Sequence, residues 1–379
     1  MEVLSMNDQH NTFPDRYEER LANFTKISRT AGSRSDYVQG GGGNTSCKLD
    51  GQLMAIKASG FRLDQIAPDA AYAVLDYAKL RLFYQQTDPS TLDDIEKTGS
   101  NETKADAVAV EGIPVLRPSV EAGFHSLLDT YVLHTHPVYA NLVTCSAEGP
   151  ELAVRIMSDI KQNFAFVPYI NPGAQLTFVI DAARKKAADA DGRQPSVIFM
   201  QNHGLIATSD DAVTCLDLHE KVNMAVASFF GVSEKDWPSV QVEPVSNAVS
   251  ANYWKSATPW LKTRLLDTQW DLELFTVQAL YPDQLVFLAG QMAVAQTGTL
   301  AEYEEINSAK AIVFRQTGEV LYQCGKNEAQ TIEETLCAIL FIRGTIESAG
   351  YTVNAMNEAG KQFISTWESE QYRKTIASK

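Results

Sequence analysis

The sequence predicts a mixed α/β protein in two parts, a larger one over residues 1–240 and a smaller α/β module over 241–379. Three observations lead there. The chain has 379 residues, more than one ordinary hydrophobic core organises. Strand-like and helix-like runs intermingle without the regular βαβ alternation of a doubly wound sheet. Composition shifts between Gly231 and Asn252, where Pro238, Pro244 and several serines interrupt the pattern.

The elements follow in order. After a polar tail, Pro14 and the apolar stripe Tyr17, Leu21, Phe24 and Ile27 predict a helix over 14–30, stopped by Gly32 and a polar run. Asp50-Gly51 between the strand-like runs 45–49 and 52–58 predicts a β-hairpin. Residues 66–84 are expected to be helical and the polar stretch 85–107 to be a surface excursion. Ser119 stands where it could cap a helix reaching about residue 128, and the alternating run 130–135 predicts a strand. A helix over 152–163 and an extended segment over 164–170 come next. Strands over 197–201 and 205–208 are expected around Asn202-His203-Gly204, then a long helix over 209–230 with Ala212, Leu216, His219 and Val222 near one face. In the smaller module, 284–287 and 311–314 are expected strands, with Thr317-Gly318 turning into a return strand over 320–322 and a helix over 328–349. Trp367-Glu368-Ser369-Glu370 suggests no mechanism.

Composition excludes some classes of function. Asp and Glu number 47 against 32 Lys and Arg, a formal charge of −15 that repels a phosphate backbone, so nucleic acid is not an expected partner. The start MEVLSMNDQHNTFPDRYEER has no basic segment followed by an apolar run, and no stretch of roughly 18 apolar residues occurs, so neither export nor membrane spanning is expected. Cys47, Cys145, Cys215, Cys324 and Cys337 are odd in number, far apart and never in a Cys-x-x-Cys pair. That pattern suits reduced thiols in a cytoplasm rather than a disulfide framework or a zinc ribbon.

The pattern richest in chemistry is His134-Thr135-His136. On a strand, side chains at i and i+2 share a face, so both imidazoles could grip one ion. His203 is a candidate third ligand, because Gly204 lets the backbone turn the ring toward a neighbouring strand. Three neutral imidazoles suit Zn²⁺ and similar ions and leave a coordination position open. An isolated His-x-His is more often a pair of satisfied core histidines; here three of the chain's six His sit in two short strand ends. Glu121, just before the first of these strands, could be a fourth ligand or a base, or simply an acid at a helix N-terminus. His125 shares its helix face and is expected to be a hydrogen-bond partner rather than a ligand. The run Gly40 to Gly43 before Asn44-Thr45-Ser46 could bring backbone amides close to an anion, though no Walker or dinucleotide fingerprint accompanies it. Lys57, Ser59, Gly60 and Ser119 could complete such a pocket.

Taken in order, Gly-Gly-Gly-Asn-Thr-Ser at 41–46, Ser59-Gly60, Pro118-Ser119-Val120-Glu121 with His125, His134-Thr135-His136-Pro137 and Asn202-His203-Gly204 resemble the class II aldolase/adducin family over roughly 14–230. The Gly-rich motif looks most like the aldolase half of bifunctional rhamnulose-phosphate aldolase/alcohol dehydrogenase proteins. The resemblance implies a three-layer α/β/α sandwich around a mainly antiparallel sheet, assembled as a homotetramer. It also implies a divalent metal, Zn²⁺ or similar, on His134, His136 and His203, with Glu121 as acid/base. Gly43, Asn44, Ser59, Gly60 and Ser119 would surround the phosphate of a sugar-phosphate substrate. The reaction it implies is retro-aldol cleavage of a ketose; epimerases, dehydratases and decarboxylases share the scaffold, and adducin-like members are non-catalytic. Where many phosphate-binding members carry a second hydroxyl residue before the glutamate, this chain has Val120.

Overall fold

In the computed structural model, which describes residues 12–245, 252–267, 269–298 and 309–366, seven strands form one sheet. They are β1 (Asn44–Lys48), β2 (Leu53–Lys57), β3 (Tyr72–Asp76), β4 (Tyr131–Thr135), β5 (Ala165–Val167), β6 (Val197–Met200) and β7 (Gly204–Ser209). Their order is β3-β2-β1-β4-β7-β6-β5, antiparallel throughout except for the parallel pair β5–β6. Every residue of β1, β3, β4 and β6 is buried, so both faces of the sheet are covered.

Alternation along the strands divides the core in two. Cys47, Ala55, Val74, Leu133, Phe199 and Leu205 join the side chains of helices Glu18–Gly32, Val138–Thr144 and Ala212–Phe229. Met54, Ile56, Val132, Ile198 and Ile206 point the other way, toward helices Tyr77–Gln86, Ala122–Leu127 and Ala174–Lys186. Helix, sheet and helix are thus three layers around a mainly antiparallel sheet, the arrangement the resemblance implies.

A second sheet contains β8 (Val242–Pro244), β9 (Tyr253–Ser256), β10 (Met292–Ala295), β11 (Ala311–Phe314) and β12 (Glu319–Gln323), in the order β10-β11-β12-β9-β8. The helix Lys326–Ser348 links it to the first sheet by packing on helix Val138–Thr144. Its Ile332, Leu336, Ile339 and Phe341 belong to the same apolar cluster as Leu133, Val138 and Tyr139. No helix among the described residues is long and apolar enough to cross a membrane.

Three expectations need correction. Residues 66–84 are not one helix: β3 comes first, then helix Tyr77–Gln86, with Asp76 ending the strand and accepting from Lys79 N as the cap. The apolar run around Ala73 to Leu75 fits either period, and pairing with β2 decides it. The polar excursion contains the helix Ile95–Ala105, started by Asp94, with Gly99 and Thr103 on its buried side. The expected strand at 284–287 is the helix Pro282–Leu288; Pro282 takes the first helical position, where its missing N–H costs nothing. Helices Val138–Thr144 and Ala174–Lys186 went unrecognised in the sequence. Most of the composition break after Pro244 and the Trp367-Glu368-Ser369-Glu370 stretch lie outside the described residues.

Candidate metal centre

His134 is the fourth residue of β4 and His136 lies just past the strand's end, so the two rings leave the same face. His203 arrives from the tight turn between β6 and β7, where Asn202 adopts φ of +51°. Because β7 pairs with β4, with His134 opposite Ile206, that turn sits beside the end of β4. The three imidazole centroids are 5.0 Å apart pairwise, and one ligating nitrogen from each falls within 4.8 Å of the others. All three side chains are buried. The cluster could hold a metal ion.

The hydrogen bonds behind the rings set their tautomers. His134 Nδ1 donates to the Leu205 carbonyl at 3.0 Å, and His136 Nδ1 donates to Asp283 Oδ2 at 2.5 Å. Neither acceptor brings a hydrogen of its own, so the proton of each ring belongs on Nδ1 and the lone pair on Nε2. Burial, the largest influence on His134, pushes its pKa down to about 4, so it is neutral near pH 7. The two Nε2 atoms face each other at 3.2 Å. Glu121 Oε2 lies 3.5 Å from His134 Nε2, and Oε1 lies 3.3 Å from His203 Nε2 while accepting no hydrogen bond. One shared proton would satisfy a single contact in this group. A divalent cation would satisfy them all, and the residues therefore fit one.

Glu121 is the N-cap residue of helix Ala122–Leu127, yet its side chain makes no capping bond and turns to the imidazoles instead. Ser119, expected to be the cap, stands two residues earlier and accepts from Glu121 N at 3.3 Å. Asn44 orients the carboxylate, its Nδ2 donating to Glu121 Oε2 at 2.6 Å and to Ser119 Oγ at 3.1 Å. Register explains the reach: Asn44 pairs with His134 across β1 and β4. His125 makes no hydrogen bond to Glu121. Its Nε2 bonds Asn44 Oδ1 and its Nδ1 bonds Ser46 Oγ at 2.7 Å, so it fixes which way the Asn44 amide points. Burial holds its pKa well below the ordinary histidine value, which keeps the ring neutral for that task.

One pocket gathers Gly43, Asn44, Ser59, Gly60 and Ser119 with Glu121, His136 and His203. Val120, Gly41, Pro172 and Pro282 complete the wall with Lys57, whose Nζ donates to Phe61 O at 2.7 Å. Two glycines of the run have steric roles beyond backbone freedom. Gly43 has φ of +63°, and a Cβ there would come within 2.5 Å of the His134 carbonyl oxygen. A Cβ on Gly42 would overlap Asp283 Oδ2.

Residues 22–228, more than half of the chain, match the family described as Class II Aldolase and Adducin N-terminal domain. This protein belongs to the class II aldolase/adducin family. Solved structures similar to it include the N-terminal class II aldolase domain of a conserved protein from Thermoplasma acidophilum, 23% identical over 55% of this chain and 92% of that one, TM-score 0.45. A sugar-phosphate aldolase from Thermotoga maritima is 14% identical over 56% and 94%, TM-score 0.41. An L-fuculose-1-phosphate aldolase from Thermus thermophilus is 13% identical over 56% and 94%, TM-score 0.35. No curated protein matches the chain.

Within this class II aldolase/adducin member, Glu121 and the three histidines fall inside the matched segment, but two carboxylates that bond to residues of the site and its glycine run do not. Asp283 holds His136, and Glu334 of helix Lys326–Ser348 accepts from Gly40 N at 3.0 Å, tying down the glycine run. Neither was found by sequence reasoning. Asp283 sits beside a short apolar run without any recognisable spacing to the histidines, and Glu334 lies in the middle of a helix where acids are routine.

Proposed function

We propose that this protein is a metal-dependent aldolase that cleaves a ketose, in phosphorylated form, by retro-aldol chemistry. The observation that carries the reading is the opposition of the His134 and His136 Nε2 atoms at 3.2 Å beside a Glu121 oxygen that accepts no hydrogen bond. His134, His136 and His203 would hold the ion, Zn²⁺ being the natural match for three imidazoles. When bound, it supplies a Lewis acid that stabilises negative charge on the substrate's oxygens.

The chain's own residues supply the rest. Glu121 Oε2 is committed to Asn44, whereas Oε1 is the atom at which a proton can be taken up and returned. Asn44 and, behind it, His125 hold that carboxylate in one orientation. Ser119 Oγ accepts two hydrogen bonds, from Asn44 and Glu121 N, which leaves its O–H to donate to an anion. Ser59, Gly60, Gly43 and Lys57 line the same wall and suit a phosphate, with Val120 presenting an apolar side chain where a further hydroxyl could have stood. Pro172 and Pro282 add apolar surface to the pocket wall. The retention of all three imidazoles and the carboxylate favours an enzyme over a non-catalytic adducin-like role.

The same reading places the protein in the cytoplasm as a homotetramer acting on a small sugar phosphate; the five cysteines, all free and buried, are in keeping with a reducing compartment. The test is a screen of ketose 1-phosphates and free ketoses on the purified protein, with dihydroxyacetone phosphate and lactaldehyde release as readouts. Aldehyde release that vanishes in a His134→Ala, His136→Ala double variant, together with its bound metal, is the expected result. Epimerised product without aldehyde would replace the aldolase reading with epimerase chemistry, and metal-free wild-type protein would end both.

A further inference from the structure

The sheet-and-helix segment after residue 240 lies outside the matched family segment, and yet it reaches the candidate metal centre at two points. Asp283, in the first turn of helix Pro282–Leu288, is fully buried and accepts from His136 Nδ1 at 2.5 Å. Three residues before it, the Leu280 carbonyl accepts from Asn202 Nδ2 at 2.9 Å, and Asn202 adjoins His203. Asn202 Nδ2 also donates to the Asn354 carbonyl at 2.7 Å. Both histidine-bearing turns are therefore held by chain that the family match does not include.

The segment is itself firmly seated. Gln284 Oε1 accepts from Leu280 N at 2.8 Å, and its Nε2 donates to the carbonyls of Leu274 and Phe275 at 2.9 and 3.0 Å. Tyr281 OH donates to Gln39 Oε1 at 3.1 Å, fastening the helix start to the loop that carries the glycines. Only a glycine at position 42 leaves room for Asp283 to reach the ring. A carboxylate on the far nitrogen of a metal-bound imidazole fixes the ring's tautomer and direction and makes its near nitrogen a stronger donor.

We propose that Asp283 is a positioning residue for His136, through which the C-terminal part of this chain completes the metal centre. This rests on the metal-dependent reading above. The test titrates Co²⁺ into the metal-stripped full-length wild type and Asp283→Asn, measuring affinity by chelator competition and geometry by the visible absorption of the bound ion. About 10- to 100-fold weaker binding with an altered Co²⁺ spectrum is expected in Asp283→Asn, at a melting temperature close to the wild type's. An Asp283→Ala variant measured in the same way should be weaker still. Equal affinity and an unchanged spectrum in Asp283→Asn would overturn the inference while leaving the metal site standing. Wild type that binds no Co²⁺ would overturn the proposed function, and the inference with it.

Discussion

The two oxygens of Glu121 have different surroundings, and the difference makes a prediction about a single atom. Oε2 is held by Asn44, while Oε1 faces His203 Nε2 without a hydrogen bond. If Oε1 carries the proton in catalysis, Glu121→Gln keeps the shape and removes the base. We expect kcat to fall by about 10²- to 10⁴-fold with metal content unchanged. Elemental analysis beside the kinetics decides it, since loss of the metal together with activity would make the carboxylate a ligand instead.

His219 gives a second prediction at this scale. It is fully buried, 2.6 Å from Thr135 Oγ1 and packed against the Tyr37 ring. Burial, followed by the charges of Arg34 and His134, pushes its pKa down to about 3 from an ordinary 6.5. Between those values the unfolded chain takes up a proton that the folded protein refuses. The stability linked to His219 is therefore fully present above about pH 6.5 and is lost as pH falls toward 3. Urea midpoints measured from pH 7 to pH 4 should decline less steeply in His219→Gln than in the wild type, and parallel declines would remove His219 from the acid response.

At the scale of elements, the turn between β6 and β7 bears on both folding and the site. Asn202 holds φ of +51° and its amide links the turn to Leu280 and Asn354, with Asn354 Nδ2 donating back to Asn202 Oδ1 at 3.0 Å. Asn202→Ala loses these bonds and also forces a side chain to keep a left-handed conformation, which together should cost about 2–4 kcal/mol. Asn202→Gly loses the bonds but keeps the backbone freedom, so it should be less harmful by about 1 kcal/mol. Urea unfolding of the two variants checks this; equal losses would show that the conformation contributes nothing.

This turn also shows what the sequence made legible. Asn202-His203-Gly204 between two β-branched runs announces a strand end, and His134-Thr135-His136 shows by its spacing alone that two rings share a face. Elements with a long single period, such as the helix Ala212–Phe229, were equally readable. The short apolar runs at 73–75 and 284–287 were not, because strand and helix bury such a run equally well and only partners far along the chain decide. Asp283 was hidden for the same reason. Its role exists only because folding brings it to His136, 147 residues away in sequence.

For the whole molecule, the composition break near residue 240 separates two sheets, but the apolar core runs across it. Leu261, Phe275, Tyr281, Ile332, Leu336 and Phe341 belong to the same cluster as Leu133, Val138 and Tyr139 of the family segment. Each large apolar side chain buried in full contributes about 1.5–3 kcal/mol relative to exposure. Six of them together are worth roughly as much as the entire net stability of an ordinary domain, about 5–15 kcal/mol. Cutting the chain after residue 240 would expose their partners on helix Val138–Thr144, release Gly40 from Glu334 and leave His136 without Asp283. The 1–240 fragment should therefore show no cooperative thermal transition and no high-affinity Co²⁺ site, whereas the full chain should unfold in a single transition that shifts upward with bound metal. A fragment that melts cooperatively and binds Co²⁺ as the full chain does would mean that the shared cluster is contact between two self-sufficient domains.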